Sequence, residues 1–145
     1  AVRSQLGGNI RMLKQLSIYA ENKKGALQVM TNALYEAGIN IWGSVTNDGA
    51  EYGINRMVVS DPDKAKEVLT EKGYLCRFVD VLAVEIEDKP GALNTLLTAL
   101  LDSNVNVDYT YLSFNRDSST PVMILHTADP EEVEICLRAK GFKMV

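Results

Sequence analysis

Nowhere in this chain do apolar residues run on for the roughly 20 positions that a membrane-spanning helix requires, and no basic-then-apolar leader marks export. Histidine occurs once, at His126, which excludes a histidine zinc cluster and a His-based catalytic triad unless an outside partner completes them. Its apolar strand setting, "VMILHT", reads as that of a hydrogen-bonded structural residue. Cysteine occurs twice, at Cys76 and Cys136, with no C-x-x-C, and both are expected to be buried reduced thiols rather than a bridge. A cytoplasmic location follows as the default. Neither a G-x-x-x-x-G-K-[ST] nor a G-x-G-x-x-G loop is present to cradle a phosphate. Basic residues are outnumbered 15 to 19, and a net charge of −4 argues against a nucleic-acid or anionic-membrane surface.

What the chain does contain is a repetition. "ENKKGALQVMTNALYEAGINI" (21–41) matches "EDKPGALNTLLTALLDSNVNV" (87–107) without a gap, and "SDPDKAKEVLTEKGY" (60–74) matches "ADPEEVEICLRAKGF" (128–142). Such self-similarity marks a duplicated structural unit. The expected division is a leader at 1–11, read as a remnant of expression, a first module at 12–79 and a second at 80–145. Only Asp80 or so separates the modules, too little for a flexible linker, so a rigid association of the two is expected. Units this small bury only about 60% of their unfolded surface, so packing between copies or against another chain is expected.

Each copy reads as strand, helix, strand, strand, helix, strand. "LKQLSIYA" alternates, which predicts Leu16, Ile18 and Ala20 inward and Gln15, Ser17 and Tyr19 on an open polar face. Helical spacing predicts an inward stripe of Leu27, Met30, Leu34 and Ala37, repeated as Leu93, Leu96, Leu97, Leu100 and Leu101. Gly38 and Asn104 suit left-handed helix ends. Asp61-Pro62 and Asp129-Pro130 read as N-caps followed by Pro at the first helical position, with Glu132 completing a capping box. The order βαββαβ predicts an α+β fold: two ferredoxin-like sandwiches, each an antiparallel sheet with both helices on one face. Its second strand lies at a sheet edge, where the row Asn40, Trp42, Ser44 and Thr46 is a candidate for pairing across modules or chains.

The fold hosts many unrelated activities, so function must come from a site. The carboxylates are spread over turns and helix starts rather than paired, no metal or other cofactor site is evident, and no catalytic activity is expected. The repeated loop is the chemical feature. It joins the first strand to the first helix with glycine and no Ser, Thr or Asp cap, leaving backbone N–H groups at Gly91, Ala92 and Leu93, with Pro90 at the helix start. A bare helix start of this kind suits an anion. With the amides of Asn22, Asn40 and Asn106 and the carboxylate of Asp88, it offers both donors and acceptors to a zwitterion. For about nine heavy atoms at roughly 0.6 kcal/mol each, an affinity near 0.1 mM is the expected scale.

These residues resemble the signature of the ACT domain, a small regulatory module that binds amino acids: acidic or amide, basic, Pro, Gly, small, Leu, then a helix leading into a Gly-Ile-Asn-Ile-like strand. The resemblance extends over residues 12–145, twice, as in stand-alone tandem ACT proteins. It implies modules side by side through edge strands, and ligand sites at the module interface. Carried onto this sequence, those sites are Asn22, Lys23, Gly25, Ala26, Leu27 and Asn40 in the first copy. In the second they are Asp88, Pro90, Gly91, Ala92, Leu93 and Asn106. Lys24 stands where proline is usual, and Asn104 where glycine is. The expected function is that of a non-catalytic regulator that binds a free amino acid and acts on a separate enzyme or regulator, with pairing into a homodimer. The alternative is a subunit like the small subunit of acetolactate synthase, acting by protein contact.

Overall fold

The computed structural model describes residues 2–5, 8–47 and 52–145, with side chains from Met12 onward. Beyond Asn47, the polar turn expected at 47–51 lies outside the described residues, as do residues 1, 6 and 7 of the expected leader. Within that leader, β1 (Val2–Gln5) and β2 (Gly8–Arg11) pair antiparallel, Val2 opposite Arg11. The remaining elements are β3 (Leu13–Glu21), α1 (Ala26–Glu36), β4 (Ile41–Asn47), β5 (Tyr52–Val59), α2 (Pro62–Glu71) and β6 (Leu75–Glu85). They continue with α3 (Ala92–Asp102), β7 (Tyr109–Phe114), β8 (Pro121–His126), α4 (Pro130–Ala139) and β9 (Lys143–Met144). The chain divides into two compact units, Lys14–Val79 and Asp80–Val145, and the segment up to Leu13 belongs to the latter. Met12, expected at the head of the first module, is buried among Leu82, Val84, Leu96 and Leu137 of the second unit.

Each unit is a βαββαβ sandwich. In the first, β5 lies between β3 and β4, antiparallel to both, with Leu16 opposite Met57 and Ser44 opposite the same methionine. In the second, β8 lies between β6 and β7, and the short β9 pairs with β6. The first core is Leu16, Ile18, Met30, Leu34, Met57 and Leu69 with their neighbours. Its counterpart is built on Leu82, Val84, Leu96, Leu100, Leu125 and Leu137.

The helices face the core along a narrower stripe than their leucines suggest. Met30, Ala33 and Leu34 are the buried residues of α1, and Leu96 and Leu100 those of α3. Leu27, Leu93, Leu97 and Leu101 are exposed, the last at 75%. Leu93, Leu97 and Leu101 are four residues apart and form one ridge, set beside the buried one rather than within it. The open polar sheet face is also corrected: Gln15 and Ser17 are buried, as are Val58, Val81, Ala83, Val122 and Ile124, which point away from the helix-side core residues.

Both first helices end as expected. Gly38 has φ +72°, Asn104 φ +58°, and the amides of Ile39 and Val105 bond back to the carbonyls of Leu34 and Leu100 at 3.0 and 2.9 Å. The starts of the second helices differ. The Asp61 carboxylate accepts from the Lys64 N–H at 3.2 Å, whereas Asp129 makes no side-chain cap bond, so the expected capping box at Asp129 and Glu132 does not form. Asp61→Ala is therefore expected to lower stability by about 1 kcal/mol and Asp129→Ala by a few tenths, read from urea midpoints.

Thr127 stands in β8's exit where the first unit has Val59, and its buried hydroxyl has no partner. Thr127→Val should be neutral or stabilising by about 1 kcal/mol in thermal melts, since it removes an unsatisfied group without changing shape. Both cysteines are free. Burial pushes the Cys76 thiol up, opposed by Lys66 and a Thr70 hydrogen bond, while Cys136 donates to the Ser103 hydroxyl at 3.2 Å.

Candidate functional site

The two repeated loops adopt the same local geometry. Gly25 and Gly91 have φ +83° and +88°, conformations that a side chain disfavours, and α1 and α3 begin one residue later, at Ala26 and Ala92. Pro90 thus precedes the helix rather than opening it. Neither helix has a side-chain cap. The Ala26 and Ala92 amides bond to the carbonyls of Lys23 and Lys89 at 3.1 and 3.2 Å, and Val29 and Thr95 bond to Gly25 and Gly91. That leaves the N–H groups of Leu27 and Gln28, and of Leu93 and Asn94, as those each helix does not satisfy itself. Lys23 and Lys89 fold back onto Glu21 and Glu87 at 3.2 and 2.9 Å, exposed pairs that blunt the charge beside each tip.

The strand starts expected to accompany the loops lie elsewhere within each unit. In the β3–α1–β4 crossover β4 runs parallel to β3, so its beginning lies at the opposite end of the sheet from the end of β3. Asn40 donates its backbone N–H to the Ser60 hydroxyl at 2.9 Å, near Val59, while Glu21 pairs with Tyr52 at the other end of β5. Asn106 donates its side-chain amide to the Asp108 carboxylate at 3.1 Å and lines a cavity of about 400 Å³ with Asn104, Thr127 and Asp129. His126 is close by, its Nδ1 2.8 Å from Asp108 and its ring stacked on Tyr109.

Around the first loop the structure gathers Asn22, Lys23, Gly25, Ala26 and Leu27 at a cavity of about 350 Å³. Thr46, Asn47, Gly53 and Asn55 complete its wall, and sequence reasoning did not single them out as ligand contacts. Asn55 is the most informative of them. It is 3% exposed, donating to Thr46 Oγ1 at 2.7 Å and to Ser44 Oγ at 3.2 Å. Ser44 and Thr46 thus turn to the helix side of the sheet rather than forming an outward row. A signal was available: an asparagine falls in the inward alternation of "YGINRMVV" where the second copy has Met123. The other side of this loop borders a cavity of about 480 Å³ with Tyr19, Lys24, Tyr52, Lys72 and Tyr74. Its counterpart in the second unit, about 370 Å³, carries Glu85, Lys89, Thr120 and Phe142. Of the second set of expected residues only Ala92 lines that cavity; Asp88, Pro90, Gly91 and Leu93 are exposed on the loop and first turn. Among the described residues no group of three or more His, Cys, Asp and Glu is placed to hold a metal ion, and no helix is long and apolar enough to cross a membrane.

The paired sandwiches and their glycine-tipped helices coincide with a family pattern: residues 11–144 match the model described as an ACT domain pair. The chain belongs to the ACT domain pair family. Protein BT0572 from Bacteroides thetaiotaomicron is similar in structure, with a TM-score of 0.85, 30% identity, and 92% of each chain covered. The ligand-free regulatory subunit of aspartate kinase from Thermus thermophilus aligns with a TM-score of 0.60 at 17% identity, over 88% of this chain and 90% of that one. The corresponding subunit from Thermus flavus gives 0.58 at 19% identity, over the same shares. At these identities the two subunits establish likeness of fold. Among curated protein sequences, none matches this ACT pair.

Proposed function

We propose that this ACT pair is a non-catalytic regulatory protein that binds a free amino acid and passes that binding on through the packing of its units or its association with a separate protein. The observation that carries the reading is the cavity at the first α1 tip. There, backbone donors that the helix leaves over meet the amides of Asn22, Asn47 and Asn55 in a space suited to a small metabolite. The donors suit a carboxylate and the Asn55 oxygen an ammonium, each charge-assisted bond contributing about 1.5–3 kcal/mol, while the Asn47 oxygen is held by Arg56 at 2.7 Å. A ligand regulates only through unequal affinity for two states, so the bound form must differ in unit packing or in partner affinity. Action in the cytoplasm on an enzyme or regulator encoded separately fits this reading, as does a homodimer joined through β4 or β7. Titration calorimetry against each of the twenty amino acids tests it: heat from one or a few at sub-millimolar to millimolar affinity supports it. Silence from all twenty at millimolar concentration would remove it.

A second reading, a subunit that acts on its enzyme by contact alone, draws on the exposed ridge Leu93, Leu97 and Leu101 and on exposed Leu112 and Phe114 of β7. The structural likeness to aspartate kinase regulatory subunits lends it a precedent of form. Stoichiometric co-purification of an enzyme with a chain that binds no amino acid would favour it.

A further inference from the structure

Resting on the amino-acid-binding reading, we infer that the two units have specialised: the cavity over Asn55 is the chain's single amino-acid site, and the second unit's equivalent loop does not bind. The tips themselves do not decide this. Both have an uncapped helix, a left-handed glycine and the same backbone bonds. What lies beneath them differs. Thr46 stands opposite Asn55 in the first unit, and at the same register Leu112 stands opposite Met123 in the second. Both pairs are on the helix side of the sheet, one strand row further along than Ser44 opposite Met57 and Thr110 opposite Leu125.

The first unit therefore places a buried carboxamide and a hydroxyl where the second places a thioether and an isobutyl group. Two donor bonds from the Asn55 amide go to Thr46 and Ser44, which fixes its orientation, and its carbonyl oxygen, 3.4 Å from the Ser44 hydroxyl, keeps a second lone pair for a ligand in the cavity that Asn55 lines. An ammonium brought to the first tip meets that oxygen. The same ammonium at the second tip would lose water against Met123 and Leu112, with no replacement acceptor from either. The surroundings differ as well: Asn22 and Asn47 border the first cavity, whereas the second unit exposes the carboxylates of Glu87 and Asp88 with Leu93 at its tip and Leu112 and Phe114 on its edge strand. Asn55 and Thr46 are thus assigned together as the residues that the binding copy requires and the other lacks.

The test is calorimetry on the full chain, titrating each of the twenty amino acids singly, with three variants that exchange residues between copies. Wild type is expected to bind at one ligand per chain. Asn55→Met and Thr46→Leu should each weaken binding by about tenfold or more. Met123→Asn should leave stoichiometry and affinity as they are. Circular dichroism melts confirm folding of Asn55→Met, and Thr46→Leu, exposed on the edge strand, keeps the result readable should that variant not fold. Two ligands per chain, or unchanged affinity in both first-unit variants, overturns the specialisation while leaving the amino-acid reading intact. No binding by wild type to any amino acid removes both.

Discussion

Leu100→Ala is expected to destabilise this protein by about 2–5 kcal/mol, and Leu101→Ala, its neighbour in sequence, by about 0.5 kcal/mol or less. Leu100 is 1% exposed and packs with Leu82, Val84, Leu96 and Leu137, so truncation removes apolar burial and leaves a cavity that a close-packed core only partly closes. Leu101 leaves most of its surface in water already. For a unit of this size, 1 kcal/mol corresponds to roughly 4–8 °C in melting temperature, so the first variant should melt about 10 °C or more below wild type. Thermal and urea unfolding of the two variants, measured side by side, check this. Equal losses would mean that α3 is turned about its axis from the orientation described, and would undo the distinction between its buried and exposed ridges.

Placing valine at the two loop glycines should separate structure from binding. Gly25 and Gly91 hold φ near +85° with no heavy atom within 4 Å of a built Cβ, so the penalty is conformational rather than a clash. A β-branched residue in that region costs on the order of 1–3 kcal/mol, and the two variants should lose similar amounts. Only Gly25→Val should also lose amino-acid binding, because only that tip borders a cavity lined by Asn55. Melting curves and calorimetry on the same preparations give both readouts. Loss of binding in Gly91→Val at retained fold would place a ligand at the second loop and contradict the assignment of a single site.

The fold could be read from the residues because the chain repeats itself, and each copy's alternation, helix stops and Asp-Pro starts agree on one order of elements. Helix orientation was less legible. Leucine at 93, 96, 97, 100 and 101 satisfies two adjacent ridges at once, and periodicity alone does not say which faces inward. The sheet's second face misled for another reason: Gln15 and Ser17 are polar, but Gln15 donates to the Ser17 hydroxyl at 3.1 Å, so both are tolerated out of water. Of the candidate site, the loop was visible as a motif. Its floor was not, since Asn55 lies thirty residues from Gly25 in sequence and reaches the loop only through the β3–β5 pairing. Within one unit, Asn40 stands at the far end of the sheet from its loop because the intervening helix carries the strand start there, a separation that nearness in the chain does not reveal.

An amide lodged where the sister copy keeps a methionine also sets two kinds of selection against each other. Asn55→Met would exchange a polar group for apolar burial opposite Ile18 and is the sort of change that raises folded yield. A library ranked by cellular abundance should therefore enrich that variant, and the same library ranked by response to the metabolite should discard it. The position where the two rankings disagree most would mark, without any ligand in hand, where usefulness has been kept at the expense of robustness.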